Sequence, residues 1–330
     1  MRIEDKVARL RDPGIYPERP AVVEVVETHF SWVFLTERLV YKLKKPVRYH
    51  GLDFTTLAAR RRNCEREVAL NRRLAPDVYL GTLALTASDG TAALGGAGAV
   101  LDWLVVMRRL PAGRMLDAAI RAGTVGEAEI RKFTGLLAAF YRRTEPAPLA
   151  PEDYRRRFAL GIADHRAALL ASGTALPHLG IDALCRWQQG FLRRHRALLD
   201  ARAGRLVDAH GDLRPEHICL TPEPAIIDCL EFDPELRRLD PADELAYLAL
   251  ECERLGAGQI GDRVLAHYAA ISGDRCPDPL LRFYRVFRAC LRAKIAVWHL
   301  ADCTAGEGGK WTRRALDYLR LAERHARGSR

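Results

Sequence analysis

Residues 210–228 have the sequence HGDLRPEHICLTPEPAIID. This stretch contains two short apolar runs, ICL and AII, separated by the segment TPEP. Short β-type runs on either side of a proline-containing turn predict a tight hairpin. One carboxylate, Asp212, lies before the predicted hairpin, and another, Asp228, follows it directly. The stretch therefore combines a defined local structure with an aspartate on either side of it.

The N-terminal part is predicted to be a small antiparallel sheet with one helix. Its predicted strands are rich in β-branched and aromatic residues and are Val22–Val26, Phe30–Leu35, Leu39–Leu43, Leu80–Thr86 and Ala99–Met107. The segment Thr55–Leu74 has apolar residues at helical spacing among Arg and Glu, which predicts a helix. The sequence LPAG at residues 110–113 then breaks the pattern and predicts a boundary after residue 110.

Helical patterns dominate the rest of the chain. Apolar residues recur at helical spacing over Glu127–Thr144 and Ile181–Ala201, and helices are predicted again from Pro241 onward. The predicted class is therefore α+β, with a small antiparallel β-sheet lobe in residues 1–110 and a larger, mainly helical lobe in residues 111–330.

Composition limits the classes of partner. The 330 residues carry a formal net charge of +10, from 52 Lys and Arg against 42 Asp and Glu, which favours anionic ligands. Nucleic acid is disfavoured as a partner, and an RNA-binding protein is the weakest alternative, because no zinc-finger spacing or aromatic RNA-binding strand motif is present. No run reaches the roughly 18 apolar residues that span a bilayer, and the start MRIEDK lacks a signal-peptide core, so we expect no membrane association and a cytoplasmic location.

The order HGDL, hairpin, Ile-Asp resembles the catalytic and metal-binding loops of aminoglycoside-phosphotransferase-like kinases, which are relatives of the protein kinases. The segment Asp240–Ala246, with the sequence DPADELA, resembles the acidic helix start that follows those loops. The resemblance implies a bilobal protein-kinase-like fold and an ATP-dependent phosphotransferase that uses Mg²⁺ and a small-molecule acceptor. It implies that Asp212 is the catalytic base and that Asp228 is the magnesium ligand, as phosphoryl transfer requires.

The N-terminal lobe carries the residues that the resemblance assigns to the nucleotide. The sequence VYKLKKP at residues 40–46 resembles the strand whose lysine contacts the phosphates, and Lys42 is the first choice. Lys44 remains a competitor, because alternation along a strand puts both side chains on one face. Glu67, on the following helix, matches the acid that pairs with this lysine. An isolated Glu on an Arg-rich helix is otherwise a solvated residue.

The segment that joins the lobes resembles the adenine-binding hinge of these kinases. Its candidates are Met107, Arg108 and Leu110, which would bind adenine through backbone groups. Further similarity lies in THFSWVFL at residues 28–35, CERE at 64–67, CLEF at 229–232 and RACLRAK at 288–294. With these segments the resemblance covers most of the chain and points to a bacterial subgroup of the same family, often fused to a P-loop ATPase domain. The sequence has no GxxxxGK[ST] motif, so that domain is not expected in this chain, and a separate P-loop ATPase is a candidate partner.

Two positions depart from the family pattern. His217 stands where related kinases have an Asn that binds a second metal, and imidazole is a poor ligand for Mg²⁺. Glu216 or Glu231 could supply the missing oxygen, or only one metal is held tightly, or catalysis is weak. The loop before the second strand has no glycine, so Ser31 or Thr28 would donate to the phosphates instead. These departures sustain an alternative function, an ATP-binding pseudokinase or regulatory module.

The sequence also contains a basic stripe on one predicted helix. Its members recur at spacings of three and four and are Arg282, Arg285, Arg288 and Arg292. If Arg288 and Arg292 face the acceptor, the acceptor would carry a carboxylate or phosphate. Pairing with acids of neighbouring helices is an equally good interpretation. Arg237 could join the same anion site or pair with Asp240.

Overall fold

A computed structural model of the chain describes residues 1–49, 52–88, 91–171, 176–302 and 308–328. The strands are β1 (Glu24–Glu27), β2 (Ser31–Leu35), β3 (Leu39–Lys44), β4 (Arg48–Tyr49), β5 (Leu52–Asp53), β6 (Tyr79–Ser88), β7 (Thr91–Leu94), β8 (Ala99–Arg108), β9 (Val207–Asp208), β10 (Ile218–Cys219), β11 (Ala225–Ile226) and β12 (Arg238–Leu239). The helices are α1 (Ile3–Leu10), α2 (Leu57–Asn71), α3 (Leu116–Arg121), α4 (Glu127–Arg143), α5 (Pro151–Ala171), α6 (His178–Arg194), α7 (Arg196–Asp200), α8 (Pro234–Arg237), α9 (Pro241–Arg254), α10 (Gly258–Ser272), α11 (Asp278–Asp302) and α12 (Gly308–Arg327). Within the described residues, no helix combines the length and the apolar character needed to cross a bilayer.

The chain divides into two compact units. Unit 1 comprises Met1–Met115 and His217–Pro234, and unit 2 comprises Leu116–Glu216 and Glu235–Arg330. The hairpin β10–β11 therefore packs with the N-terminal residues, although it follows the boundary predicted after residue 110. Two of its residues, Cys219 and Ala225, lie in the same buried cluster as residues of α2 and β8.

Unit 1 contains a six-stranded antiparallel sheet in the order β1-β2-β3-β8-β6-β7. The predicted sheet is confirmed, and each predicted strand lies within a few residues of its observed bounds. Helix α2 comes after the third strand as predicted, with the short strands β4 and β5 between them, and the Thr56 hydroxyl caps it by accepting from the Ala59 N–H at 3.1 Å. Strands β4, β5 and β7 and helix α1 were not predicted. The Lys6 ammonium on α1 is held at the sheet by Asp102, at 2.6 Å.

Unit 2 is mainly helical, as predicted. Its buried core includes two clusters to which α11 contributes, with Val286 and Ala289 in one and Phe283 in the other. Helix α9 begins where the acidic segment predicted a helix start: Asp240 caps it by accepting from the Ala242 N–H at 2.9 Å, and a proline fills the first turn. Unit 1 is thus a β-sheet lobe and unit 2 a helical lobe, as expected for the bilobal kinase-like fold that the sequence predicted.

Candidate active site

Three charged side chains from distant parts of the chain meet in unit 1. The Lys42 ammonium on β3 donates to Glu67 Oε1 on α2 and to Asp228 Oδ1 after β11, at 2.9 Å each. Glu67 is fully buried, so its surface interpretation is excluded. Burial lowers the pKa of Lys42, but the carboxylates of Asp228 and Glu67 outweigh it and hold that pKa well above its ordinary value. The arrangement keeps the lysine charged and fixed in position.

Lys44 contacts a different set of acids on the same side of β3. Its ammonium contacts Glu67 Oε2 and lies 2.6 Å from Glu231 Oε1, and only 2% of its side chain is exposed. The Lys42 side chain, by contrast, is 15% exposed. Glu67 is thus shared by two lysines, of which Lys42 is the more exposed. This difference favours Lys42 over Lys44 as the group that reaches a bound phosphate.

The backbone at Asp228 has an unusual conformation. Asp228 has a φ of +62°, in the left-handed region that costs a non-glycine residue about 1–3 kcal/mol. Its N–H donates to the Tyr79 hydroxyl at 3.1 Å, and the next N–H, of Cys229, donates to Asn71 Oδ1 at 2.9 Å. Residues of β6 and α2 therefore hold the two peptide groups that aim the carboxylate.

The Asp228 carboxylate is both charged and accessible. Burial raises its pKa, but the ammonium of Lys42, the imidazole of His217 and the ammonium of Lys44 outweigh this effect and hold the pKa well below its ordinary value. Its side chain is 45% exposed. An ionised, exposed carboxylate with one oxygen bound to a lysine can offer its other oxygen to a hard cation.

The other candidate metal ligands are less available. His217 Nε2 lies 3.5 Å from Asp228 Oδ2, and Glu231 is held by Lys44 as described above. Glu216 lies in unit 2, where its Oε1 accepts from Arg214 Nη1 at 2.7 Å. No group of three His, Cys, Asp or Glu side chains capable of holding a metal occurs within the described parts of the chain. A cation here would need oxygens from a ligand in addition to Asp228.

The glycine-free loop before β2 forms a tight turn closed by Thr28. The Thr28 hydroxyl donates to the Ser31 carbonyl and accepts from the Ser31 N–H, both at 3.0 Å. Its bonding capacity is therefore used within the turn. The Ser31 hydroxyl is buried and has no hydrogen-bond partner among the residues that the structure describes. Of the two candidate donors, Ser31 is therefore the one whose hydroxyl is not used by a bond to another described residue, and it is buried.

The predicted hinge follows strand β8. The N–H groups of Arg108 and Arg109 donate to the carbonyls of Val78 and Arg38, at 2.8 Å each. Met107 is buried in the sheet, paired with β3 and β6. For Leu110, the first residue beyond these pairs, no N–H bond to another described residue is present. Of the three hinge candidates, Leu110 is thus the one whose N–H is not used within the described residues.

Asp212 in unit 2 lies on a loop held by a buried acid. Gly211, with a φ of +91°, donates its N–H to Glu244 Oε1 at 2.6 Å, and the His210 N–H donates to Glu244 Oε2 at 3.2 Å. The Tyr141 hydroxyl donates to the same carboxylate at 2.7 Å. Burial, only partly offset by these donors, raises the pKa of Glu244. Helix α9 therefore fixes the backbone immediately before Asp212.

The Asp212 carboxylate has donors at both oxygens. The Tyr247 hydroxyl donates to Oδ1 at 2.9 Å, and Arg214 Nε donates to Oδ2 at 3.0 Å. The Asp212 side chain is 21% exposed, so a small molecule can reach it. A carboxylate oriented in this way can accept a proton from a bound hydroxyl.

The three predicted substrate arginines have different surroundings. Arg237 is buried and donates from Nε to Asp208 Oδ1 at 2.7 Å, rather than to Asp240. Arg288 is also buried and donates to both oxygens of Asp243, at 2.8 and 2.6 Å. Arg292 Nη1 lies 3.9 Å from Asp212 Oδ1. Only Arg292 of the three is close to the candidate base, and the contacts of Arg237 and Arg288 are those of structural ion pairs.

Sequence reasoning missed four residues that position the site: Asn71, Tyr79, Glu244 and Tyr247. Glu244 lies within the acidic segment DPADELA, but that sequence does not show that its carboxylate binds the loop before Asp212. Asn71 follows Glu67 by four residues and therefore lies on the same face of α2. Nothing in the local sequence marks Tyr79 or Tyr247, whose partners are 149 and 35 residues away.

Comparison with solved structures identifies the fold. A choline/ethanolamine kinase family protein from Mesorhizobium loti matches with a TM-score of 0.57 and 15% identity, over 98% of each chain. Aminoglycoside 2′-phosphotransferase-IIIa, in its GDP complex, matches with a TM-score of 0.55 and 16% identity, over 98% of this chain and 99% of that one. A glucosamine kinase in complex with glucosamine, ADP and phosphate matches with a TM-score of 0.53 and 17% identity, over 91% and 79%. The chain has the protein-kinase-like phosphotransferase fold.

Sequence comparison finds longer relatives. The uncharacterized protein Rv2004c of Mycobacterium tuberculosis H37Rv is 35% identical over 285 residues, which are 83% of this chain and 54% of that protein. The uncharacterized protein Mb2027c of Mycobacterium bovis matches equally. The chain thus spans about half the length of the curated relatives it matches. No protein-family model matches the chain.

Proposed function

We propose that this chain is a small-molecule kinase, which transfers the γ-phosphoryl group of Mg·ATP to a hydroxyl group. The observation that carries the proposal is the contact of Lys42 with both Glu67 and Asp228, made by residues 25 and 186 positions apart from the lysine. Such a fixed lysine and accessible carboxylate are what a kinase needs to hold a triphosphate and its metal. The solved neighbours are small-molecule kinases, and two of their structures contain ADP or GDP.

The residues of unit 1 would hold the nucleotide. Lys42 would neutralise phosphate oxygens, the Ser31 hydroxyl would donate to a phosphate, and the Leu110 backbone would bind adenine. The donor set suits Mg²⁺, which commonly takes one or two carboxylates and completes its shell with phosphates and water. Asp228 would hold it, with His217 beside the carboxylate. When bound, the ion would neutralise charge on the phosphates.

Asp212 would then act as the base. The acceptor oxygen forms a bond to the γ-phosphorus while the bond from that phosphorus to the β–γ bridging oxygen breaks. The bridging oxygen keeps the electron pair and leaves with ADP. Asp212 accepts the hydroxyl proton, which later passes to solvent. Tyr247 and Arg214 hold the Asp212 carboxylate in one orientation while the acceptor binds.

A pseudokinase that binds ATP without transfer is the second candidate. It is favoured by His217, which offers nitrogen where an oxygen ligand is expected, and by Glu231, which is already paired with Lys44. The presence of Asp212, on a loop held by Glu244, argues for catalysis, because a module that only binds nucleotide needs no base.

The test is ADP formation from Mg·ATP with and without a desalted metabolite extract, for wild type and Asp212→Asn. We expect turnover that the extract stimulates and that falls about 10²- to 10⁴-fold in the variant. ATP binding, measured by calorimetry, should be nearly unchanged by Asp212→Asn. ATP binding without turnover in any extract would establish the pseudokinase instead. Failure of wild type to bind ATP would refute both candidates.

A further inference from the structure

Arg292 on α11 is a largely buried guanidinium whose contacts are all long. Its Nε lies 3.4 Å from the Tyr318 hydroxyl and 3.6 Å from Glu251 Oε1, and its Nη1 lies 3.9 Å from Asp212 Oδ1. Only 12% of the side chain is exposed. Strong hydrogen bonds from a guanidinium to a carboxylate measure about 2.7–2.9 Å. Arg292 is therefore held near three acceptors without a short bond to any described residue.

The other paired arginines of the stripe behave differently. Arg288, one helical turn earlier, makes two short bonds to Asp243 and is buried. Arg285, whose side chain is 17% exposed, donates to Asp262 at 3.0 Å. Each of these two arginines therefore makes at least one hydrogen bond of 3.0 Å or shorter to a carboxylate. Arg292 has the same side chain and a similar environment, but its hydrogen-bonding capacity is not used by short contacts.

A second guanidinium lies on the other oxygen of Asp212. Arg214 donates to Asp212 Oδ2 at 3.0 Å and to Glu216 at 2.7 Å, and 17% of its side chain is exposed. Asp212 therefore lies between two cations within unit 2. An ammonium group on the acceptor would be repelled by these two guanidinium groups, although the carboxylates of Asp212, Glu216 and Glu251 lie beside them. A carboxylate or phosphate would instead meet guanidinium groups, which bind such anions through two parallel N–H donors.

We propose that Arg292, assisted by Arg214, forms an anion subsite beside Asp212, and that the acceptor is an alcohol bearing a carboxylate or phosphate group near its reactive hydroxyl. This inference rests on the proposed kinase function, because it concerns the acceptor of that reaction. The anionic group is unchanged by the reaction and serves to position the hydroxyl at Asp212. Its acceptor class differs from the amine-bearing compounds that name the solved neighbours, choline, ethanolamine and glucosamine.

The first test uses inorganic sulfate as the probe, in calorimetric titrations at constant ionic strength. Wild type should bind sulfate, Arg292→Gln should weaken that binding about tenfold or more, and Arg292→Lys should weaken it less because the charge remains. Arg285→Gln is the matched control on the same helix and should change it less than twofold. Equal sulfate affinity in wild type and both Arg292 variants would overturn the proposal.

The second test identifies the charge of the acceptor without knowing its structure. The metabolite extract that stimulates ADP formation is passed over an anion exchanger at pH 8. Two results together would support the subsite. The exchanger should retain the stimulating activity, and the KM for the retained acceptor should rise about tenfold or more in Arg292→Gln while the KM for ATP stays unchanged. Phosphatase treatment of the retained fraction then distinguishes a phosphate from a carboxylate. Activity that flows through would refute an anionic acceptor while leaving the kinase function intact, whereas loss of ATP binding in wild type would refute the kinase function itself.

Discussion

Lys42 and Lys44 lie two residues apart on one strand and share Glu67, yet we expect their replacement to have opposite consequences. The change is the same at both positions: Lys42→Met and Lys44→Met each remove the positive charge and retain most of the apolar side chain. Lys44→Met should destabilise the fold with little effect on ATP affinity. Lys42→Met should weaken ATP binding with a smaller loss of stability.

The magnitudes follow from burial and distance. Lys44 Nζ lies 2.6 Å from Glu231, where an attraction of roughly 6 kcal/mol is expected at an effective dielectric constant of about 20. Desolvation of the lysine offsets part of this. Removal of one partner from a buried pair costs about 3–5 kcal/mol, because the remaining charge stays buried. Lys44→Met leaves Glu231 without its lysine, so we expect a loss in this range.

Lys42→Met should cost less, about 1.5 kcal/mol in the free energy of unfolding. Glu67 would keep its contact with Lys44, and Asp228 is 45% exposed, so water can solvate it. The loss of a charge-assisted contact to phosphate should weaken ATP binding about 10- to 100-fold.

The assays are urea unfolding at pH 7.5 without ligand and calorimetric titration with Mg·ATP, both applied to wild type and the two variants. The reasoning would be refuted if Lys44→Met were as stable as Lys42→Met. It would also fail if Lys44→Met lost ATP binding and Lys42→Met retained it, because Lys44 would then be the phosphate lysine.

Three further changes test other parts of the structure. Asn71→Ala removes the acceptor of the Cys229 N–H and should cost about 1–3 kcal/mol in urea unfolding, with weaker Mg·ATP binding because the backbone beside Asp228 is released. Glu244→Ala leaves three donors without their acceptor and should cost about 4 kcal/mol, with a lower kcat. Burial, assisted by the nearby ammonium of Lys294, lowers the pKa of His165 to about 3, so wild type should lose up to about 1.4 kcal/mol of stability per pH unit as the pH falls from 6.5 toward 3.

The His165 prediction follows from proton linkage. A histidine whose pKa is depressed in the folded state takes up its proton only in the unfolded state, so falling pH favours unfolding. His165→Leu should reduce the slope of the free energy of unfolding against pH, whereas the exposed control His178→Leu should not. Equal slopes in wild type and His165→Leu would exclude the mechanism.

For Asn71, the control is Asn71→Asp, which keeps the acceptor oxygen but loses the amide that donates to the Glu67 carbonyl at 2.9 Å. It should therefore restore Mg·ATP affinity more than stability. For Glu244, the control is Glu244→Gln, which keeps one acceptor and should lose less than Glu244→Ala. An Asn71→Ala variant with unchanged Mg·ATP affinity would show that Asn71 does not position Asp228. A Glu244→Ala variant with wild-type kcat would show that the loop before Asp212 needs no such support.

Local patterns in the sequence were sufficient for the fold class. The β-branched runs of unit 1, the hairpin over residues 218–226 and the helix starting at Pro241 were predictable because strand alternation, turn residues and helix caps act over a few residues. Helix α1 was not predicted. One of the residues that hold it, Lys6, finds its partner Asp102 only in the folded chain.

The sequence also identified the candidate nucleotide-binding and catalytic residues, because HGDL followed by Asp228 forms a recognisable motif. The two lysines could not be ranked in this way, because alternation puts both on one face of β3. Their ranking depends on exposure and on which acid each reaches.

The arginine stripe shows most clearly where sequence information ends. Arg288 and Arg292 are identical side chains one helical turn apart on α11, and nothing in the sequence distinguishes them. Arg288 meets Asp243 in a short two-bond pair, while Arg292 lies 3.9 Å from Asp212. The two arginines differ because the fold brings different distant side chains within a few ångströms of each. At such distances charge interactions and hydrogen bonds become strong. The amino-acid order specifies the elements and the chemical groups, and the packing of distant segments assigns each group its partner and therefore its role.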